Sequence, residues 1–221
     1  FGKISVIPHG VDDRVQKVRQ TQLEFWREKT DRKKVILCFG SLTPRRGIEY
    51  LMKAFKVVVE KYPDYILVIA GLSNPYYEDY VQSIKLLKER LGVAKSVVMT
   101  GFINLESIHA LHELAEIIIL SYTFSTAASG SLSFAIQHSK PVIATNIGAF
   151  KEELQDSVNA LLVPPKDVES LVHAMEKLIR DPVLRAKLSR NLSSKVKERS
   201  WKMVAHMTFE VYNRLVSVHS Q

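Results

Sequence analysis

Residues 35–70 read VILCFGSLTPRRGIEYLMKAFKVVVEKYPDYILVIA, and the order of patterns inside this stretch decides the fold. VILCF (35–39) and YILVIA (65–70) are apolar without polar alternation, which suits strands covered on both faces, although a short apolar run alone also fits a buried helix. Between them Ile48, Leu51, Met52, Phe55, Val58 and Val59 fall at the i, i+3, i+4, i+7 spacing of an amphipathic helix. A strand, a helix and a second strand form one βαβ unit. The pattern then continues. SVVMT (96–100), EIIIL (116–120) and PVIAT (141–145) repeat the apolar run, weaker helical patterns occupy 76–92, 105–115 and 129–139, and a strong one returns from Val168 to Ile179. Strand and helix alternate throughout, which predicts an α/β, Rossmann-like, doubly wound parallel sheet with helices on both faces.

Two ends flank this core and divide the chain into an N-terminal strand and charged lead-in (1–34), a Rossmann-like domain (35–200) and a C-terminal helix (201–221). ISVIP followed by HGVDD reads as a strand and turn, and the charged stretch through Lys34 as a helix or ordered insert. Trp201, Val204, Thr208, Val211, Leu215 and Val218 form an apolar seam that needs a partner surface. The chain starts at Phe1 with no Met and no signal-peptide pattern, which reads as a piece of a longer protein.

With 46% hydrophobic and 24% charged residues among 221, the composition is that of a globular chain, not a disordered or membrane-embedded one. The single Cys38 has no partner for an intramolecular disulfide and argues for a reducing compartment, the cytoplasm by default. A net charge of +8 favours an anionic partner: nucleic acid, anionic lipid or a phosphorylated small molecule.

In an open α/β sheet ligands bind at the carboxyl ends of strands, so three loops matter. Gly40-Ser41-Leu42-Thr43-Pro44-Arg45-Arg46-Gly47 places two guanidinium groups at a helix start, where the dipole is already positive. Either they are solvated or a bound anion reverses the sign. The loop is not a P-loop, since GxxxxGK[ST] is absent. The second loop, Tyr122 to Ser131, has five Ser/Thr residues in the nine positions 123–131 (Thr123, Ser125, Thr126, Ser129, Ser131), with Gly130 among them. N-capping needs only one of these, and the excess leans toward anion binding. In the third loop Glu152 is a candidate acceptor for sugar hydroxyls, or merely favours the first turn of a helix. His109 and His112 lack further ligands at metal spacing and read as packing residues. No GxSxG elbow occurs, and the basic segment 14–34 carries no nucleic-acid motif.

ISVIPHGVD, GSLTPRRGIEYLMKAF, LVIAG, VVMTGFI, ELAEIIILS, AIQHSKPVIATNIGAFKEEL, NALLVPPKDVESLVHAMEKLIRDP and SWKMVAHMTFEVYNRL together resemble, in order and over nearly the whole chain, the C-terminal half of a family 4, retaining, GT-B glycosyltransferase. The resemblance implies two Rossmann-like domains with the active site between them, and a C-terminal domain that holds the nucleotide-sugar donor without a metal. It implies transfer to a glycan or lipid-linked acceptor, as in building a polysaccharide. An N-terminal acceptor domain would lie upstream of Phe1, the closing helix would pack on it, and the chain alone would turn over little. The full enzyme would be cytoplasmic, meet an anionic membrane at its inner face, and bind no nucleic acid.

In the family's G-R-x(4)-K-G loop an Arg and a Lys neutralise the leaving diphosphate. Here Ser41 stands at the Arg position and Arg46 at the Lys position, with Arg45 beside it. A family pair of glutamates, for donor sugar and ribose, is replaced by Thr126 and Phe134. Ser129-Gly130 at the helix start is retained, as is Glu152, with Lys151 in place of the usual proline. The implied donor-binding set is therefore Gly40, Ser41, Thr126, Ser129, Gly130, Ser131 and Glu152, with Arg46 and Arg45 at the diphosphate. The lost glutamates also fit another class, a non-catalytic Rossmann-like partner or regulatory module derived from such an enzyme.

Overall fold

A computed structural model describes residues 4–14, 17–72, 75–124 and 129–218. The elements follow in the order α1 (Gln20–Lys29), β1 (Lys34–Phe39), α2 (Ile48–Lys61), β2 (Tyr65–Ala70), α3 (Glu78–Arg90), β3 (Val97–Met99), α4 (Leu105–Leu114), β4 (Ala115–Leu120), α5 (Gly130–Gln137), β5 (Val142–Thr145), α6 (Gly148–Lys151), β6 (Leu161–Val163), α7 (Val168–Arg180), α8 (Pro182–Glu198) and α9 (Trp201–Val218). The six strands are all parallel, in the order β3-β2-β1-β4-β5-β6.

The unbroken apolar runs follow from burial on both faces. Along β1, Ile36 and Cys38 join the core beneath α2, α3 and α7, whereas Val35 and Leu37 join the core beneath α1, α4, α5 and α8. β2 and β4 alternate in the same way: Leu67, Ile69, Ile117 and Ile119 point to the first core, and Ile66, Val68, Ile118 and Leu120 to the second. In α2 the anticipated stripe is the buried one, with Leu51, Met52, Phe55 and Val58 all inaccessible to solvent. Burial of Cys38 pushes its thiol above the usual range, which makes it a packing group.

The order reverses between β1 and β4. The chain builds β1, β2 and β3 in one direction and then crosses to β4 on the other side of β1, so the loops after β1 and β4 diverge and leave a crevice at the carboxyl edge. That crevice is the site considered below.

Residues 4–11 form no strand: Ile4 and Val6 are exposed, and the segment's one pairing is an isolated bridge from Val11 to Ser200. The apolar residues of ISVIP find no sheet edge. Instead the Val11 N–H donates to Arg199 O at 2.7 Å, and the buried Arg199 guanidinium donates to His9 O while pairing with Glu153 at 2.8 Å. Gly10 lies against the Trp201 ring, where a Cβ would collide. α1 packs on α4 and buries Leu23 and Trp26. Along α9, Val204, Thr208 and Val211 are half-buried, while Phe209 and Tyr212 face outward. Among the described residues no helix is long and apolar enough to cross a membrane.

Candidate functional site

The loop after β1 is shaped by three glycines. Gly40 has φ +131°, and a Cβ there would come within 2.6 Å of Ser131 Oγ and 2.7 Å of an Arg46 guanidinium nitrogen. Gly71, after β2, has φ +142° and brings its Cα against the Gly40 carbonyl oxygen. Gly47, at φ +60°, ends the single 3-10 turn Pro44–Arg46 and admits α2. The loop after β4 is strapped to this turn: Thr123 N–H donates to Arg45 O at 2.8 Å and Ser121 Oγ to Arg46 O at 2.9 Å.

These straps turn Arg46 inward. Its side chain is buried at 3% exposure and donates to Tyr122 Oη, to Ser131 Oγ at 3.0 Å and to Phe39 O. The guanidinium carbon also lies 4.5 Å from the Tyr122 ring centroid. Among the described residues no carboxylate pairs with it. Neutral oxygens and an aromatic face thus hold a cation whose charge is left uncompensated. Arg45 is exposed, its guanidinium 5.7 Å from the same ring.

Across the crevice stands the start of α5. Ser129 is its N-cap, accepting from Leu132 N–H at 3.3 Å, and its Oγ lies 3.3 Å from Tyr122 Oη. A Cβ on Gly130 would meet nothing within 4 Å, so open space faces the first turn, where N–H groups have no acceptor within the helix. The result is a cleft of about 280 Å³ lined by Phe39, Gly40, Ser41, Arg45, Arg46, Tyr122, Ser129, Gly130, Ser131 and Phe134. It carries two guanidinium groups and four hydroxyls, with no carboxylate among the lining residues. A larger apolar cavity of about 450 Å³ opens on the other side of the β1 loop, between Leu42, Leu72, Met99 and the α3 side chains Val81 and Lys85.

Phe134 closes the far end of the cleft. Its ring meets Phe39 edge-on at 5.3 Å and lies 5.4 Å from the His112 ring. His112 is fully buried and stacks on His138, which in turn is hydrogen-bonded to His109 at 2.9 Å.

The structure brings together seven residues expected from sequence: Gly40, Ser41, Arg45, Arg46, Ser129, Gly130 and Ser131. Thr126 lies outside the described residues. Glu152 is not part of the cleft lining. It follows α6 as an exposed C-terminal cap instead of opening a helix, and its neighbour Glu153 is used by Arg199.

Residues 20–198 match the family described as Glycosyl transferases group 1. The chain belongs to this family. An uncharacterized glycosyltransferase of Methanocaldococcus jannaschii is 30% identical over 183 residues, covering 82% of this chain and 45% of that protein, so the chain spans under half its length. The crystal structure of HepE from Anabaena in complex with UDP and glucose superposes with a TM-score of 0.84 at 22% identity, over 96% of this chain and 56% of that one. The C-terminal domain of a group 1 family glycosyl transferase from Francisella tularensis gives a TM-score of 0.74 at 25% identity, over 86% of this chain and 98% of that domain.

Sequence reasoning counted Tyr122 only as the first residue of the second loop, with no role of its own, and gave no site role to Phe39 or the histidine cluster of this group 1 chain. The position of Tyr122, two residues beyond β4, was the available signal. Among the described residues no group of three or more His, Cys, Asp or Glu is arranged to hold a metal ion. His112 Nδ1 lies 2.7 Å from Ile108 O and donates to it, leaving Nε2 buried without a partner. Burial pushes the His112 pKa down to about 3 and that of His138 to about 4. Both are therefore neutral in the folded state at pH 7. Depressed values put the full stability contribution above the ordinary histidine pKa of about 6.5. As the pH falls from there toward 4, the unfolded chain takes up protons that the native state refuses. His112 alone should lower stability by about 2 kcal/mol between pH 7 and pH 5. Urea midpoints across that range test this; His112→Leu should flatten the slope, and an unchanged slope would show that His112 is not held neutral.

Proposed function

We propose that this chain is the donor-binding half of a retaining glycosyltransferase, and that the cleft at the β1/β4 crevice holds the diphosphate of a nucleotide-sugar. The buried Arg46 guanidinium, uncompensated by any carboxylate among the described residues and opening on that cleft, carries the reading. Breaking the bond between anomeric carbon and diphosphate places negative charge on the leaving phosphate oxygens. A cation already fixed by Tyr122, Ser131 and Phe39 O stabilises that charge without reorganising at the moment of reaction. The exposed Arg45 supplies a second, mobile positive charge, and the first turn of α5 offers N–H groups to the phosphate oxygens. In this reading the two guanidinium groups and the helix start do the neutralising that a metal ion does elsewhere. The Anabaena neighbour, alike in fold, is in complex with UDP and glucose.

The acceptor, a glycan or lipid-linked sugar, would be held by a second, N-terminal domain closing over the cleft. The outward aromatic residues of α9, Phe209 and Tyr212, suit a surface on which that domain rests. The same reading places the enzyme in the cytoplasm, peripheral to the inner face of the membrane, where a net charge of +8 meets anionic lipid. One observation favours a second reading, a non-catalytic module: Phe134 presents a ring where a donor-reading carboxylate would be useful. Calorimetric titration with UDP, GDP and ADP separates the two. Saturable one-to-one binding supports the donor site and identifies the base; binding by none of the three would discard it in favour of the module.

A further inference from the structure

We infer that the outer face of α8 adsorbs to an anionic lipid surface, through its cations and without insertion. The inference gives the peripheral placement proposed above a definite contact surface, and rests on that placement.

The sequence of α8 decides which face looks outward. Leu188 and Leu192 are buried, and Leu184 and Val196 pack beside them against the two cores, so the opposite side of the helix faces away from the protein. That side carries Val183, Lys187, Arg190, Ser194 and Lys197, spaced by four, three, four and three residues and all exposed. From Lys187 to Lys197 the row runs about 15 Å along the axis. Lys195 stands beside it, where Arg190, Ser194 and Lys195 meet the turn of Gln155 and Asn159 around a polar cavity of about 400 Å³.

The charge on this face is unanswered. Glu198 is the only acidic residue within α8. Arg185 reaches Glu116 at 3.8 Å, and Arg199, just past the helix, pairs with Glu153, but among the described residues Lys187, Arg190, Lys195 and Lys197 meet no carboxylate. Lys187 Nζ reaches only the Ser157 carbonyl, at 3.4 Å, and Asp156 of the same turn is committed to Leu162 N–H and Ser157 Oγ. By contrast Arg19, Lys34 and Lys56 are matched by Glu106, Asp64 and Glu60. Cations in one row repel one another, and an anionic surface relieves that repulsion.

What the face lacks selects the occupant. A specific protein interface is centred on buried apolar or aromatic anchors, and Val183 is the one apolar residue in the row. A nucleic acid strand is gripped by stacking rings and free amides as well as by cations. The row holds no aromatic residue, and Asn191 beside it donates to Val158 O at 2.7 Å. A lipid surface asks only for cations lying near one plane, each of which multiplies partition about fivefold.

The experiment is co-sedimentation of the chain with vesicles of phosphatidylcholine alone and with about one-third phosphatidylserine added. The expected result is binding to the anionic vesicles only, lost as salt rises from about 0.1 M to about 1 M. Lys187→Gln, Arg190→Gln and Lys197→Gln together should lower partition about a hundredfold. Glutamine is a good helix former, so the variant should keep the wild-type circular dichroism. The matched control is Lys85→Gln, Arg90→Gln and Lys95→Gln, which removes the same charge from exposed positions on α3 and the turn leading into β3, at the far end of the sheet from β6. Its loss should stay below about fivefold. Equal losses from the two triple variants would overturn the inference and leave the peripheral placement standing. If the wild-type chain ignored anionic vesicles, the placement itself would fall, and this inference with it. A DNA or RNA duplex that displaced the vesicles at equal phosphate concentration would overturn the inference in favour of a nucleic-acid face.

Discussion

Arg46→Ala is expected to weaken nucleoside diphosphate binding by at least about tenfold, because a hydrogen bond to a charged group contributes about 1.5 to 3 kcal/mol and this guanidinium is the fixed cation of the cleft. The loss has two sources. The positive charge facing the ligand disappears, and Tyr122 and Ser131 lose the donor that sets their hydroxyls. Arg46→Lys should fall between the variant and the wild type. An ammonium keeps the charge, but it lacks the planar fork that reaches Tyr122, Ser131 and Phe39 O together. Calorimetry measures both, with a urea midpoint taken alongside, since stranding the Phe39 carbonyl costs about 1 to 3 kcal/mol of stability by itself. A folded Arg46→Ala chain that bound as tightly as the wild type would remove Arg46 from the site.

Gly71→Ala is expected to lower the unfolding free energy by about 3 kcal/mol or more, combining backbone strain of about 1 to 3 kcal/mol with overpacking of similar size. At φ +142° an L-residue is strained whatever the space, and here the new methyl group would press on the Gly40 carbonyl oxygen. Neither backbone can yield easily. Gly40 N–H donates to Ala70 O at 2.9 Å and Gly71 N–H to Gly101 O at 3.2 Å, so three strand ends are tied at this point. Gly92→Ala is the matched comparison: φ is +68° but nothing lies within 4 Å, and the expected cost is only about 1 kcal/mol. Urea unfolding of both variants settles the matter. Equal costs would mean that the loops after β1 and β2 do not approach as closely as described.

The sheet was legible because each long strand is buried on both faces and so writes a continuous apolar run, and because α2 and α7 carry wide apolar stripes between such runs. β6 was not among the runs recognised, since Leu161–Val163 is only three residues long and is followed at once by Pro164 and Pro165. α8 was hidden for a different reason: Leu184, Leu188, Leu192 and Val196 recur once every four residues, a narrow stripe in a strongly basic segment. ISVIP misled because it is apolar without having a sheet edge to join. At the site, the loops themselves were readable from their place after strands, and Arg46 from the charge conflict at a helix start. The partners of Arg46 were not. Tyr122 and Ser131 lie 76 and 85 residues away in sequence and meet it only because β4 returns beside β1. Phe134 becomes a wall of the cleft through the same adjacency.

The most direct test of the account locates the ligand. Backbone amide resonances of the isotope-labelled chain, followed as UDP is added, should show saturable shifts gathered at Gly40–Gly47 and Ser129–Phe134, at the mouth of the β1/β4 crevice. Shifts centred on Glu78–Lys85, beside the larger apolar cavity, or no saturable shift at all, would contradict it.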